Sequence, residues 1–194
     1  TCMTAYTLQS SNENFFRARN RALFNDVQHI LSPEETKLLS FNDVKKMLKP
    51  KNEVYLGMKV VPIKLIVGSE GRYMDFDNKF FPRKTHLKNR WARIDQAYYK
   101  DIILPPISLY EIGGLYFVRD GNHRVSVAKI NGVENIDAEV VSLQSEIILK
   151  PSSTIKEILK QVIQYEKRVF YAETNFGDIT DYWTIDFSSP GQYD

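Results

Sequence analysis

The residues with the most chemical potential stand together in Asp120-Gly121-Asn122-His123-Arg124. They follow the apolar run Tyr116-Phe117-Val118-Arg119 and precede the helical pattern Val125 to Ile130. A strand that turns through a glycine into a helix leaves N–H groups unpaired at the helix start, where the dipole is positive. Such a start accepts an anion, phosphate included. Gly121 supplies a positive φ or a close approach, Asn122 and His123 supply donors, and Arg124 adds a planar fork that suits phosphate oxygens. If the site is catalytic, His123 donates or relays a proton and Asp120 orients the turn or binds metal. The same residues fit a plainer arrangement, with Asp120 capping the helix and Arg124 in a structural salt bridge. Both readings stand on the residues alone.

A second group, Glu70, Gly71, Arg72, Asp75 and Asp77, follows an apolar stretch that ends at Val67. A loop of this kind could seat a metal-bound phosphate, because Mg²⁺ takes one or two carboxylates and completes its shell with phosphate oxygens. The alternative leaves Glu70 in solvent and has Asp75 and Asp77 cap the turn around Phe76. A third group is the basic run Arg83, Lys84, His86, Lys88, Arg90 and Arg93, interleaved with Trp91. It either lines a phosphate pocket, grips a nucleic-acid backbone or forms a solvated helix face. His29 and His86 lack a second histidine or cysteine at ligand spacing, so both read as surface or packing residues. Glu166 falls on the buried stripe of the last helix and reads as a partner for an arginine rather than a catalytic acid.

Positioning these groups requires several elements. Residues Asn14 to Leu31 place Phe16, Leu23, Val27, Ile30 and Leu31 at helical spacing. Ser32-Pro33-Glu34-Glu35 and Ser40 with Asp43 are two further helix starts, and Lys49-Pro50-Lys51-Asn52 ends this helical segment. Met58 to Val67 has the β-branched content of one strand, and His86 to Tyr99 forms a helix with Leu87, Trp91, Ile94 and Tyr98 on one face. Ile107 to Glu111 and Leu115 to Val118 are strands joined across Gly113-Gly114, a pair suited to a tight hairpin. Gly132 stops the helix after the motif, Ile136 to Leu143 adds a strand, and Thr154 with Glu157 forms a capping box. That box opens a helix with Ile155, Leu159, Val162 and Val169 inward. Strands and helices in this order imply a small α/β sandwich.

Composition narrows the function. With 26 basic and 24 acidic residues the net charge is +2, so composition gives no support to a globally basic nucleic-acid binder and any such contact must be local. Cys2 is the only cysteine, which rules out an intrachain disulfide, a paired-thiol motif and a cysteine-based zinc site. With one cysteine a reducing, cytoplasmic setting is the expectation, and no membrane helix is expected, since no apolar run reaches the ~20 residues one needs. The start at Thr1 and the end at Gln192-Tyr193-Asp194 read as trimmed.

The segment Val118 to Val141, VRDGNHRVSVAKINGVENIDAEVV, resembles the ParB/sulfiredoxin-type domain, whose members keep a D-G-x-H-R or G-x-x-R turn between strand and helix. Phe16-Arg17-Ala18-Arg19, Leu39-Ser40-Phe41-Asn42-Asp43-Val44 and Gly68-Ser69-Glu70-Gly71-Arg72-Tyr73-Met74-Asp75-Phe76-Asp77 are similar to one bacterial family of ParB-like transcriptional regulators or nucleases. The resemblance implies an α/β (α+β) fold, with a small mixed-sheet core at 51–145, an N-terminal helical arm at 1–50 and a C-terminal helical extension at 146–194. It implies a nucleotide or phosphorylated small molecule at Arg72, Gly121, Asn122, His123 and Arg124, possible Mg²⁺, and phosphoryl transfer or nucleotide hydrolysis. Glu70 is the match to the serine-kinase general base by order along the chain. Sulfiredoxin chemistry is not expected, because Asn122 stands where that branch carries its catalytic cysteine. The rival implied by the same family is a DNA-binding regulator or partner-binding module without catalysis, contacting through Arg17, Arg19, Arg21, Lys45, Lys46 and Lys49. The oligomeric state is left open.

Overall fold

The computed structural model describes residues 7–28 and 36–174. Cys2, His29, the Ser32-Pro33 helix start and the tail 175–194 lie outside them. The elements in chain order are α1 (Leu8–Gln28), β1 (Leu39–Ser40), α2 (Phe41–Leu48), β2 (Glu53–Pro62), β3 (Ile66–Ser69), α3 (Lys88–Tyr99), β4 (Ile107–Ile112), β5 (Leu115–Asp120), α4 (Asn122–Ile130), β6 (Asn135–Leu143) and α5 (Ile155–Thr174). Six strands form one mixed sheet in the order β1-β3-β5-β4-β6-β2. The fold is a mixed α+β sandwich.

Period-2 alternation sends the two faces of each strand into different cores. Along β5, Leu115 and Phe117 enter one core and Val118 the other. The first core joins Phe15 and Ala18 of α1, Trp91 of α3 and Val125 and Val127 of α4 to Ile66, Leu109 and Val140. The second joins Phe41, Val44 and Leu48 of α2 and Ile158 and Val162 of α5 to Ile112, Phe117 and Leu143. Helices on both faces therefore complete three layers. The segments expected as an outer arm and an extension both donate side chains to these cores.

Several local expectations are met for stated reasons. Ser40 Oγ accepts the Asp43 N–H at 3.4 Å and starts α2. In the capping box, the Thr154 N–H donates to Glu157 Oε2 at 2.9 Å and the Glu157 N–H to Thr154 Oγ1 at 3.3 Å. Gly113 and Gly114 both take positive φ, 62° and 85°, as a two-residue hairpin turn with right-handed strand twist demands.

Three expectations are corrected. The single strand Met58 to Val67 is instead β2, a 3-10 turn at Ile63–Leu65, and β3. The Ile63 N–H still donates to the Glu134 carbonyl at 2.9 Å, and the chain then leaves the sheet edge through the 3-10 turn to reach β3. On α1 the buried stripe is Ser11, Phe15, Ala18 and Ala22, while Phe16 and Leu23 are exposed. The neighbouring stripe wins because Phe15 meets Trp91 edge-on at 5.8 Å between ring centroids, and the small residues let the helices approach. On α3 the inward position is Asp95 rather than Tyr98, and the Asp95 carboxylate accepts hydrogen bonds from Asn14 and Asn131.

Candidate functional site

The two chemistry-bearing loops leave the same end of the sheet. β3 and β5 are parallel neighbours with Ser69 opposite Val118, and the Glu70 N–H extends the ladder to the Val118 carbonyl at 2.9 Å. Ser69 Oγ, wholly buried, donates to the Gly71 carbonyl at 2.5 Å and to that of Val118 at 3.2 Å. Asn122 Nδ2 donates to the Gly71 carbonyl at 3.2 Å. The loop after β3 and the first turn of α4 are thereby pinned together. In the sequence Ser69 carries only a strand-end signal, and its clamping role depends on the β3–β5 register.

Gly121 is the N-cap of α4 with φ 115° and ψ 24°, and no side chain caps the helix. A Cβ at this position would come within 2.5 Å of Ile107 Cγ2, so glycine is required by both conformation and space. Without a side-chain cap, the first N–H groups of α4 are not satisfied by the residue before them.

His123 does not project outward as a donor. Its side chain is 5% exposed, stands edge-on to the Phe76 ring at 5.4 Å, and neither ring nitrogen has a hydrogen-bond partner. Burial, followed by the positive charges of Arg90 and Arg72, lowers its pKa from 6.5 to about 4, with Asp75 opposing and His86 adding to the effect. The imidazole is therefore neutral at neutral pH, in a field made positive by the two arginines. Asn122 Oδ1 is likewise buried and without a partner.

Arg124 is spent within the fold. Its Nη1 donates to the carbonyls of Pro105 at 2.5 Å and Pro106 at 3.1 Å, and its Nη2 pairs with Asp120 Oδ2 at 2.5 Å. The i,i+4 spacing of Asp120 and Arg124 across the glycine makes that pair, so the structural salt bridge is present and the expected outward fork is not. Glu70 stands apart from both. Its charge acts on the Tyr110 hydroxyl, together with Arg119 packed over the Tyr110 ring, and is not among the charges acting on His123.

The remaining loop carboxylates are also occupied. Asp77 Oδ1 accepts the N–H groups of Lys79 and Phe81, both at 2.9 Å, which caps the turn as the plainer alternative required. Asp75 pairs with Lys84 at 2.9 Å, and Arg83 Nη2 donates to the Thr36 carbonyl and hydroxyl at 3.2 Å each. Among the described residues no three His, Cys, Asp or Glu side chains gather as a metal site. From the basic run, Arg90 and His86 act on the His123 pocket, whereas Lys88 lies over the Phe16 ring at 5.1 Å. Trp91 is core, donating from Nε1 to Ser126 Oγ at 2.9 Å.

A cavity of about 520 Å³ lies elsewhere, lined by Met47, Leu48, Gln144, Tyr165 and Val169 among others. The strand directions place it at the opposite end of the sheet from Gly121. Among the described residues no helix is long and apolar enough to cross a membrane.

No family model matches the chain, and no curated protein matches it. Among solved structures, the chain is similar to a crystal structure of sulfiredoxin from Arabidopsis thaliana at 17% identity and a TM-score of 0.33, over 43% of this chain and 82% of that one. The likeness to bacterial ParB-like proteins rests on the quoted motif residues alone.

Proposed function

We propose that the junction of the loop after β3 with the start of α4 binds a phosphate-bearing ligand, a nucleotide first among them. The observation that carries this reading is the buried, partnerless His123 beside an α4 N-terminus that no side chain caps, with the positive charges of Arg72 and Arg90 acting on the same place. Phosphate oxygens would accept from the N–H groups of Asn122, His123 and Arg124, while Arg72 and Arg90 balance the charge. Arg124 and Asp120 would serve indirectly, by fixing the turn. Any Mg²⁺ would enter with the phosphates of the nucleotide, as their counterion.

The activity proposed is binding, because the features that carry the reading, unpaired N–H groups and positive charge, hold an anion without requiring a reaction. A thermal-shift panel of inorganic phosphate, nucleotides with and without Mg²⁺, and duplex DNA at two salt concentrations tests it, with turnover read in the same samples. Stabilisation by phosphate or nucleotide that drops at least tenfold in apparent affinity in Arg72→Ala/Arg90→Ala supports the reading. Stabilisation by DNA alone, or an unchanged response in the double variant, rejects it.

A further inference from the structure

The junction of the two loops holds hydrogen-bond acceptors as well as donors, and side-chain acceptors there are left over. Asn122 Nδ2 donates to the Gly71 carbonyl at 3.2 Å, and the Ser69 hydroxyl donates to the same carbonyl. A carbonyl only accepts, so the end of the Asn122 amide that faces it is the NH₂ group; turning the amide over would set two oxygens together. The other end, Oδ1, is therefore an acceptor by geometry. This oxygen is buried and has no hydrogen-bond partner, although Asn122 as a whole is partly exposed.

His123 adds to the count. A neutral imidazole has one N–H and one bare nitrogen, and neither ring nitrogen of His123 finds a partner. Asn122 Oδ1 and one His123 nitrogen are thus orphaned acceptors on the first turn of α4, whose start no side chain caps. A fully ionised oxyanion offers lone pairs alone. It would satisfy the first amides of α4 and leave both acceptors unpaired in a buried place, which costs more than the same lapse in water. A phosphate that keeps a proton offers both kinds of group, oxygens that accept from the amides and a P–O–H that donates to an acceptor.

We propose that Asn122 determines the specificity of this site: its Oδ1 accepts from the P–O–H of a protonated phosphate, so the site prefers hydrogen phosphate to an oxyanion of the same size and shape that carries no proton. This rests on the anion-binding reading above and adds which anion is taken. An aspartate in the same place would accept equally well, but its charge would repel the ligand; asparagine accepts without that repulsion. The class selected is inorganic phosphate and phosphomonoesters in their singly ionised form. Sulfate lies outside it, and so does any phosphodiester, the nucleic-acid backbone included, because neither has a proton to give. Sulfate also carries the larger mean charge near neutral pH, so Arg72 and Arg90 by themselves would favour it. A preference for phosphate therefore reads the proton and not the charge.

Isothermal titration of the full chain with inorganic phosphate and with sulfate, at matched ionic strength near neutral pH, tests this. The wild type should bind phosphate roughly tenfold or more tightly than sulfate, the ratio expected when one buried acceptor is left unpaired. In Asn122→Ala that ratio should fall to about one, through loss of phosphate affinity. The ratio is the readout, because loosening the link from Asn122 to Gly71 disturbs both anions alike. Far-UV circular dichroism verifies folding, and the wild-type ratio stands without the variant. Phosphate and sulfate bound alike by the wild type, with both weakened in Arg72→Ala/Arg90→Ala, would overturn the selectivity and leave the anion site in place. Binding of neither anion would overturn both. A preference for phosphate that survives in Asn122→Ala overturns the role given to Asn122.

Discussion

Replacing His123 with leucine should remove most of the acid sensitivity that this residue builds into the fold. In the unfolded chain an imidazole accepts a proton near pH 6.5, whereas in the folded protein burial beside Arg90 and Arg72 delays protonation until about pH 4. Between those values the unfolded state binds more protons, so stability contributed by neutral His123 is fully present above pH 6.5 and is lost as the pH falls toward 4. The linkage amounts to about 2 kcal/mol between pH 7.5 and 5, and about 3 kcal/mol once both states are protonated. Leucine has similar volume and no titration, and the partnerless ring nitrogens mean that no hydrogen bond is lost. Urea unfolding of both proteins at pH 7.5, 6 and 5, at one protein concentration and followed by tryptophan fluorescence, gives the two pH dependences. Other titrating groups contribute equally to both, so their difference isolates His123. Parallel curves for the two proteins would refute the burial and the charge environment assigned to this residue.

Two further substitutions probe the turn. Gly121→Ala should destabilise the protein by about 3 kcal/mol, combining the strain of a left-handed alanine with the collision against Ile107, and a urea midpoint within error of wild type would refute it. Arg124→Ala should cost about 1 to 2 kcal/mol by releasing the Pro105 and Pro106 carbonyls, since the partner Asp120 is largely exposed and adds little. It should also weaken phosphate binding less than Arg72→Ala does, and the reverse order in isothermal titration would return Arg124 to direct ligand contact.

The local grammar of the chain is written in short patterns. The Ser40 cap, the Thr154/Glu157 box and the Gly113-Gly114 hairpin are each decided by two residues within four positions, so the sequence alone specifies them. The strand, glycine and helix around Gly121 are legible for the same reason. Long-range partners decide the rest. Whether Phe15 or Phe16 faces inward depends on Trp91, and whether Met58 to Val67 is one strand or two depends on where the ladder of β6 ends and β3 finds β5. Arg124 and His123 show the limit most sharply. Their types advertise anion donors, yet a carboxylate one turn away and two carbonyls at 105 and 106 take the guanidinium, while Phe76 and the first core enclose the imidazole. A side chain's chemical capacity is fixed by its type. Its availability is set by groups that only the fold brings within a few ångströms.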